Sequence, residues 1–160
     1  MTIGFILNGE NVTVQAAAAT RLVDVLRGTL RLPGTRAGCC AGTCGACSVI
    51  FNGEVVKSCL VPAFKLRDSE IVTIEGFSQT DDYQDIIHGF AEAKAECCGF
   101  CDAGKILTIE ALLNRNHRPQ REEIIAGLNG IKCRCTDPEG LVQAVMAAVE
   151  HRRKRLYGYS

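Results

Sequence analysis

Strand-type runs of apolar and polar positions open the chain. "TIGFILN" and "NVTVQ" flank Gly9 and predict a β-hairpin. The period then lengthens. In "RLVDVLRGTL", Leu22, Val25, Leu26 and Leu30 share one helical face, and Thr20 stands where an N-cap belongs. A glycine-rich stretch, residues 33 to 47, has no period of either kind. "CSVIF" and "EVVKS" then bracket Asn52-Gly53, the dipeptide suited to a two-residue primed turn, and predict a second hairpin. "EIVTIEG" predicts a last strand.

From residue 79 onward the pattern is helical. Asp81 or Asp82 is placed to cap a helix running through Ala95, with Ile86, Ile87 and Phe90 inward. "AGKILTIEALLNRN" sets Ile106, Ile109, Leu112 and Leu113 on one face. "PQREEIIAGLNG" begins with Pro and ends with Gly, the usual asymmetry of a helix. Asp137 followed by Pro138 predicts the cap and first position of a last helix, "PEGLVQAVMAAVEHRRKR". The expected fold is α+β: a small β-grasp, ferredoxin-like domain over 1–78, then a four-helix domain over 79–160.

Composition narrows the partners. The 160 residues are 47% hydrophobic and 22% charged, as in ordinary globular chains. Lys plus Arg and Asp plus Glu number 18 each, so the basic excess of a nucleic-acid binder is missing. The run "HRRKR" suits the end of a helix, where cations meet the negative end of the dipole. No apolar run approaches the roughly 18 residues of a membrane span. The N-terminal segment lacks the pattern of a secretion signal, which predicts a cytoplasmic location and makes the sequon at Asn11 a chance match.

Ten cysteines change the picture. Cytosolic thiols stay reduced, so this many points to metal rather than to disulfides. Cys39, Cys44 and Cys47 are spaced C-x4-C-x2-C, and Cys59 follows the second hairpin. That is the plant-type [2Fe–2S] spacing. Gly38, Gly42 and Gly45 allow the loop to turn its N–H groups toward anionic sulfur through positive φ. Zinc, which also takes four thiolates, is the rival. A second set pairs C-x2-C at Cys98 and Cys101 with C-x-C at Cys133 and Cys135, each at a helix junction, so two short loops can complete four ligands. Cys40 and Cys97 remain, and small buried hydrophobes is the plain expectation for them. His88, His117 and His151 form no ligand pattern, and no nucleotide-binding glycine motif is present. Arg134, between two ligands, either raises the cluster potential or simply faces solvent.

"GCCAGTCGACSV" with Cys59, then "CCGFC", then "CRCT", resembles the small iron–sulfur subunit of the molybdenum hydroxylases, in order and over nearly the whole chain. That family includes xanthine dehydrogenase and aldehyde oxidoreductase. The resemblance implies an electron-transfer subunit that binds no substrate itself. Cys39, Cys44, Cys47 and Cys59 would hold a flavin-side [2Fe–2S] cluster. Cys98, Cys101, Cys133 and Cys135 would hold a molybdenum-side one. A large subunit with molybdopterin and molybdenum and a medium subunit with FAD are the implied partners, in a dimer of heterotrimers. A purine, another N-heterocycle or an aldehyde is the implied substrate.

Departures from the family pattern gather at the second set. Cys97 stands where a pterin-contacting Gln is usual. Asp102-Ala103-Gly104 replaces Thr-Pro-Gly, and Ile131-Lys132 and Asp137-Pro138 replace the usual neighbours of C-R-C. The expectation is an altered molybdopterin contact through Cys97 and the backbone of Cys135. A freestanding two-cluster carrier and a zinc-stapled interaction module are the alternatives.

Overall fold

The computed structural model describes residues 1–158; Tyr159 and Ser160, the end of the expected helical domain, lie outside the described residues. Strands β1 (Thr2–Leu7) and β2 (Glu10–Gln15) form the first hairpin, closed by Asn8 and Gly9, both at positive φ. In β1 every second residue is buried, so Ile3, Phe5 and Leu7 face the core. The second hairpin, β3 (Ser48–Phe51) with β4 (Glu54–Lys57), turns on Asn52-Gly53 in the same way. Strand β5 (Glu70–Val72) lies between them, parallel to β1 and antiparallel to β3, giving the order β2-β1-β5-β3-β4. Leu22, Val25, Leu26, Ala63 and Leu66 cover the sheet and complete one core. Each Leu or Ile removed fully from water contributes about 1.5–3 kcal/mol.

Several local expectations need correction. The first helix begins at Leu22 with Arg21, not Thr20, at its N-cap; the Thr20 carbonyl instead accepts from the Ala63 N–H. After one turn, α1 (Leu22–Asp24), the chain widens into a π-helical turn over Val25–Thr29, in which Leu30 N–H donates to Val25 C=O. "EIVTIEG" is half strand, because Ile74–Phe77 coils into a short helix, α2. The Asn8 side chain holds that junction: its Oδ1 accepts from Thr73 N–H at 2.8 Å, and its Nδ2 donates to Thr73 Oγ1 at 3.0 Å.

The back half consists of α3 (Asp81–Glu92), α4 (Asp102–Arg115), α5 (Arg121–Leu128) and α6 (Pro138–Tyr157). Thr80 caps α3, its hydroxyl accepting from Tyr83 N–H, so neither Asp81 nor Asp82 is the cap. Gln120 is the N-cap of α5, bonded reciprocally with Glu123, which leaves Pro119 outside the helix. Asp137 caps α6 with Pro138 next, as the dipeptide predicts, and Gly158 ends it at φ 66°. The basic end of α6 does more than meet a dipole. Arg152 reaches Glu110 on α4 at 2.7 Å, and Arg155 reaches Asp85 on α3 at 2.7 Å. A second core gathers Ile86, Phe90, Ile109, Leu113, Ile124 and Val145, and it takes in Ile50 and Phe77 from the front half. Helix α4 thus lies against strand β3, and the junctions that carry the two cysteine sets come together.

Candidate metal centres

The loop between the π-helical turn and β3 carries the first set. Its backbone curls around sulfur. Ala41, Thr43 and Cys44 each donate an N–H to Cys39 Sγ at 3.3 Å, and Ala46 donates to Cys44 Sγ at 3.4 Å. Gly42 and Gly45, at φ 74° and 77°, supply the left-handed turns this needs. Gly38 is required for a different reason than positive φ: a Cβ there would lie 2.7 Å from Cys44 Sγ. The Thr43 hydroxyl and the three N–H groups pull the Cys39 thiol down to about 5. That nest favours Cys39 over Cys40 as the ligand. Cys40 is half-buried rather than buried, takes positive φ itself, and lies beside Arg21.

Cys47 and Cys59 are buried against each other and against Val23. Burial and the Cys47 neighbour push the Cys59 thiol up to about 11, and Cys39 is near enough to add to that shift. Cys59 is therefore the member that senses both Cys47 and the Cys39 nest. Lys57, at the end of β4, fastens the loop by donating to the Gly42 carbonyl at 2.6 Å.

The second set forms where the segment before α4 meets the segment between α5 and α6. Cys98 pairs with Cys135, and Cys101 with Cys133. All four line one cavity of about 340 Å³. Cys101 is buried, and its thiol is pushed up to about 12 by that burial and by Cys133. Burial also pushes the Cys133 thiol up, but the N–H groups of Thr136 and Cys135 outweigh it and bring it to about 7. Each set thus contains one acidic thiol in an N–H nest and one held protonated by burial until a metal displaces the proton. Among the described residues no group of three or more Cys, His, Asp or Glu is arranged to hold a single metal ion. The second-set sulfurs line one thiol-walled space, and backbone donors are aimed at sulfurs of both sets. That donor set fits a sulfide-bridged iron pair, whose charge such N–H groups offset.

The two sets adjoin. Cys44 and Ala46 stand on the wall of the second set's cavity, with Phe100 and Arg134. Lys132 N–H donates to the Cys44 carbonyl at 2.8 Å, tying the residue before Cys133 to a member of the first set. Arg134 and Cys97 are exposed, although the Cys97 sulfur lies 3.8 Å from Lys105 Nζ. Cys133 and Cys135 also border an open cavity of about 570 Å³ between residues 93–96 and the start of α6. His88 and His151 approach each other with ring centroids 5.5 Å apart, and neither lines the two cavities that the second-set cysteines border.

Sequence reasoning missed Lys105. Its side chain is 0% exposed, within 3.4 Å of Cys133 Sγ. The signal was present: a lysine opening the apolar run "KILTIEALL", four residues before the inward Ile109. Among the described residues no helix is long and apolar enough to cross a membrane.

Comparison with known proteins identifies the family. A family model described as "2Fe-2S iron-sulfur cluster binding domain" matches residues 5–72, and one described as "[2Fe-2S] binding domain" matches residues 73–146. The chain is 41% identical over 150 residues to the nicotinate dehydrogenase small FeS subunit of Eubacterium barkeri, covering 94% of this chain and 96% of that one. It is 37% identical over 142 residues to the nicotine 6-hydroxylase small subunit of Paenarthrobacter nicotinovorans, covering 89% and 86%. The crystal structure of quinoline 2-oxidoreductase from Pseudomonas putida 86 contains a chain that superposes with a TM-score of 0.85 at 34% identity, covering 96% of each. Two cluster-binding domains in this order, on this fold, place the chain in the family of small [2Fe–2S] iron–sulfur subunits of the molybdenum hydroxylases.

Proposed function

We propose that the chain relays single electrons within a molybdopterin-dependent hydroxylase or dehydrogenase, from a molybdenum site on a large subunit to FAD on a medium subunit. Cys39, Cys44, Cys47 and Cys59 hold one [2Fe–2S] cluster in a domain of residues 1–78. Cys98, Cys101, Cys133 and Cys135 hold the other in a domain of residues 79–160. When bound, each cluster accepts and releases one electron. The substrate of the complex is a purine, another N-heterocycle or an aldehyde, and the complex is a dimer of heterotrimers.

One observation carries this reading: the 2.8 Å hydrogen bond from Lys132 N–H to the Cys44 carbonyl. It joins the two cysteine sets by a single non-bonded step, and a short bonded route is what electron exchange needs. The residues around it hold the route rigid. Gly45 packs on residues 130 and 131, where a Cβ would lie 2.5 Å from the Gly130 carbonyl oxygen. The Cys39 and Cys133 nests keep thiolates available to iron near neutral pH.

The two ends of the route face different partners. Cys135 opens on the larger cavity, where the molybdopterin subunit docks and meets Cys97 and the Cys135 backbone. The first set opens beside the exposed Leu60, which packs against Gly42 of the loop, and that face is where the FAD subunit docks. The test is purification of the native complex with iron, molybdenum and flavin measured per chain. Two iron ions per cysteine set, with molybdenum and FAD on companion chains, are expected. Iron without either, and no large companion, would refute the assignment in favour of a freestanding carrier. A colourless, iron-free protein would refute it in favour of zinc.

A further inference from the structure

Among the described residues Lys105 is the largest fully buried side chain, and it lies on the inward face of the first turn of α4. A lysine there is costly unless its charge is met. Its ammonium nitrogen lies 3.2 Å from Asp102 Oδ1, 3.2 Å from Thr136 Oγ1, 3.4 Å from Cys133 Sγ and 3.8 Å from Cys97 Sγ, and 5.8 Å from the centre of the Phe90 ring. One partner is a carboxylate and two are sulfurs, one of them in the second set. Asp102 is itself fixed, its Oδ2 accepting from Gly99 N–H at 2.7 Å.

We propose that Lys105 is a positioning residue for the second cluster, a fixed buried cation that raises that cluster's reduction potential relative to the first. This rests on the reading that Cys98, Cys101, Cys133 and Cys135 hold a [2Fe–2S] centre. Four thiolates and two sulfides make such a centre anionic, and one added electron makes it more so. A cation 3.4 Å from a ligand sulfur stabilises the reduced form more than the oxidised one. Its N–H···S contact acts in the same direction, by drawing charge from the sulfur. Asp102 acts in the opposite direction, so the ion pair holds the potential at a set height. No cation is fixed so close to the first set's sulfurs among the described residues: Lys57 there donates to a carbonyl instead.

The test is an EPR-monitored redox titration of the full chain with its clusters. Cys39→Ser and Cys98→Ser chains assign the two reduced-state signals. Lys105→Met keeps the length of the side chain and removes the charge; Asp102→Asn keeps an acceptor for Gly99 N–H and removes the opposing charge. In Lys105→Met the reduced-to-oxidised ratio of the second signal, at fixed applied potential, should fall about tenfold, a shift of about 59 mV for one electron. In Asp102→Asn it should rise, and the first signal should stay in place in both. A packing role alone would not give shifts of opposite sign. Unchanged second-signal potentials in both variants, with both signals present, would overturn the role of Lys105 and leave the cluster assignment standing. If Lys105→Met does not fold, the sign of the Asp102→Asn shift decides. A native chain with only one signal would overturn the assignment and this inference together.

Discussion

A Cβ on Gly104 would fall well inside van der Waals contact distance of the Gly45 carbonyl oxygen. The first turn of α4 therefore rests directly on the first-set loop, backbone against backbone, with no side chain between. Gly104→Ala should push the helix off the loop. Overpacking of this kind costs about 1–3 kcal/mol. The spin–spin interaction between the two reduced clusters, read by EPR, should weaken while iron content stays whole. An unchanged interaction with an unchanged melting temperature would mean the seat is not as tight as described.

The Cys39 nest predicts a selective thiol. In the metal-free chain Cys39, held at about 5, is a thiolate at neutral pH, whereas Cys59, at about 11, is protonated. Iodoacetamide at pH 7, followed by peptide mass spectrometry, should label Cys39 well ahead of Cys59. The Cys39 rate should fall as pH drops through 5, because the acid form then dominates. Thr43→Val removes the hydroxyl donor and should move that inflection upward in pH. Equal labelling of the two at pH 7 would contradict the nest.

Glu110 and Arg152 form a 2.7 Å ion pair with side chains 6% and 11% exposed. Breaking such a pair leaves one charge buried alone and costs about 3–5 kcal/mol. Glu110→Ala should lower the unfolding midpoint of the helical half accordingly, in denaturant followed by circular dichroism. Loss of less than about 1 kcal/mol would show that Asp82 and Asp85 carry Arg152 without help.

Iron removal should loosen loops rather than cores. Ile86, Phe90, Leu113 and Val145 pack without any sulfur ligand among them, as do Ile3, Phe5 and Leu26 in the sheet. After chelation, hydrogen exchange should rise in residues 37–47, 97–101 and 131–137, with helical circular dichroism largely kept. Collapse of α3 and α6 exchange protection would contradict this.

What was legible in the sequence was local. Asn-Gly fixes a hairpin wherever it stands between strand runs, so both hairpins follow from a few residues. C-x4-C-x2-C encodes one loop's geometry, and Asp137-Pro138 encodes one cap. What was hidden depended on distant residues. The strand ends at Val72 because Asn8, 65 positions before Thr73, holds Thr73 by two bonds. The π-helical turn at Val25 has no period of its own. Gly104 reads as an ordinary helix residue until Gly45 is placed beneath it. Lys105 reads as a break in an apolar face until Asp102 and Cys133 are seen around it.

The most direct measurement is double integration of the EPR spectrum of the fully reduced native chain, together with its iron content. Two distinct signals of one spin each, split by mutual interaction, with two iron ions per cysteine set, are predicted. A single signal, or iron enough for only one set, would contradict the pairing of two clusters across the bond between Lys132 and Cys44.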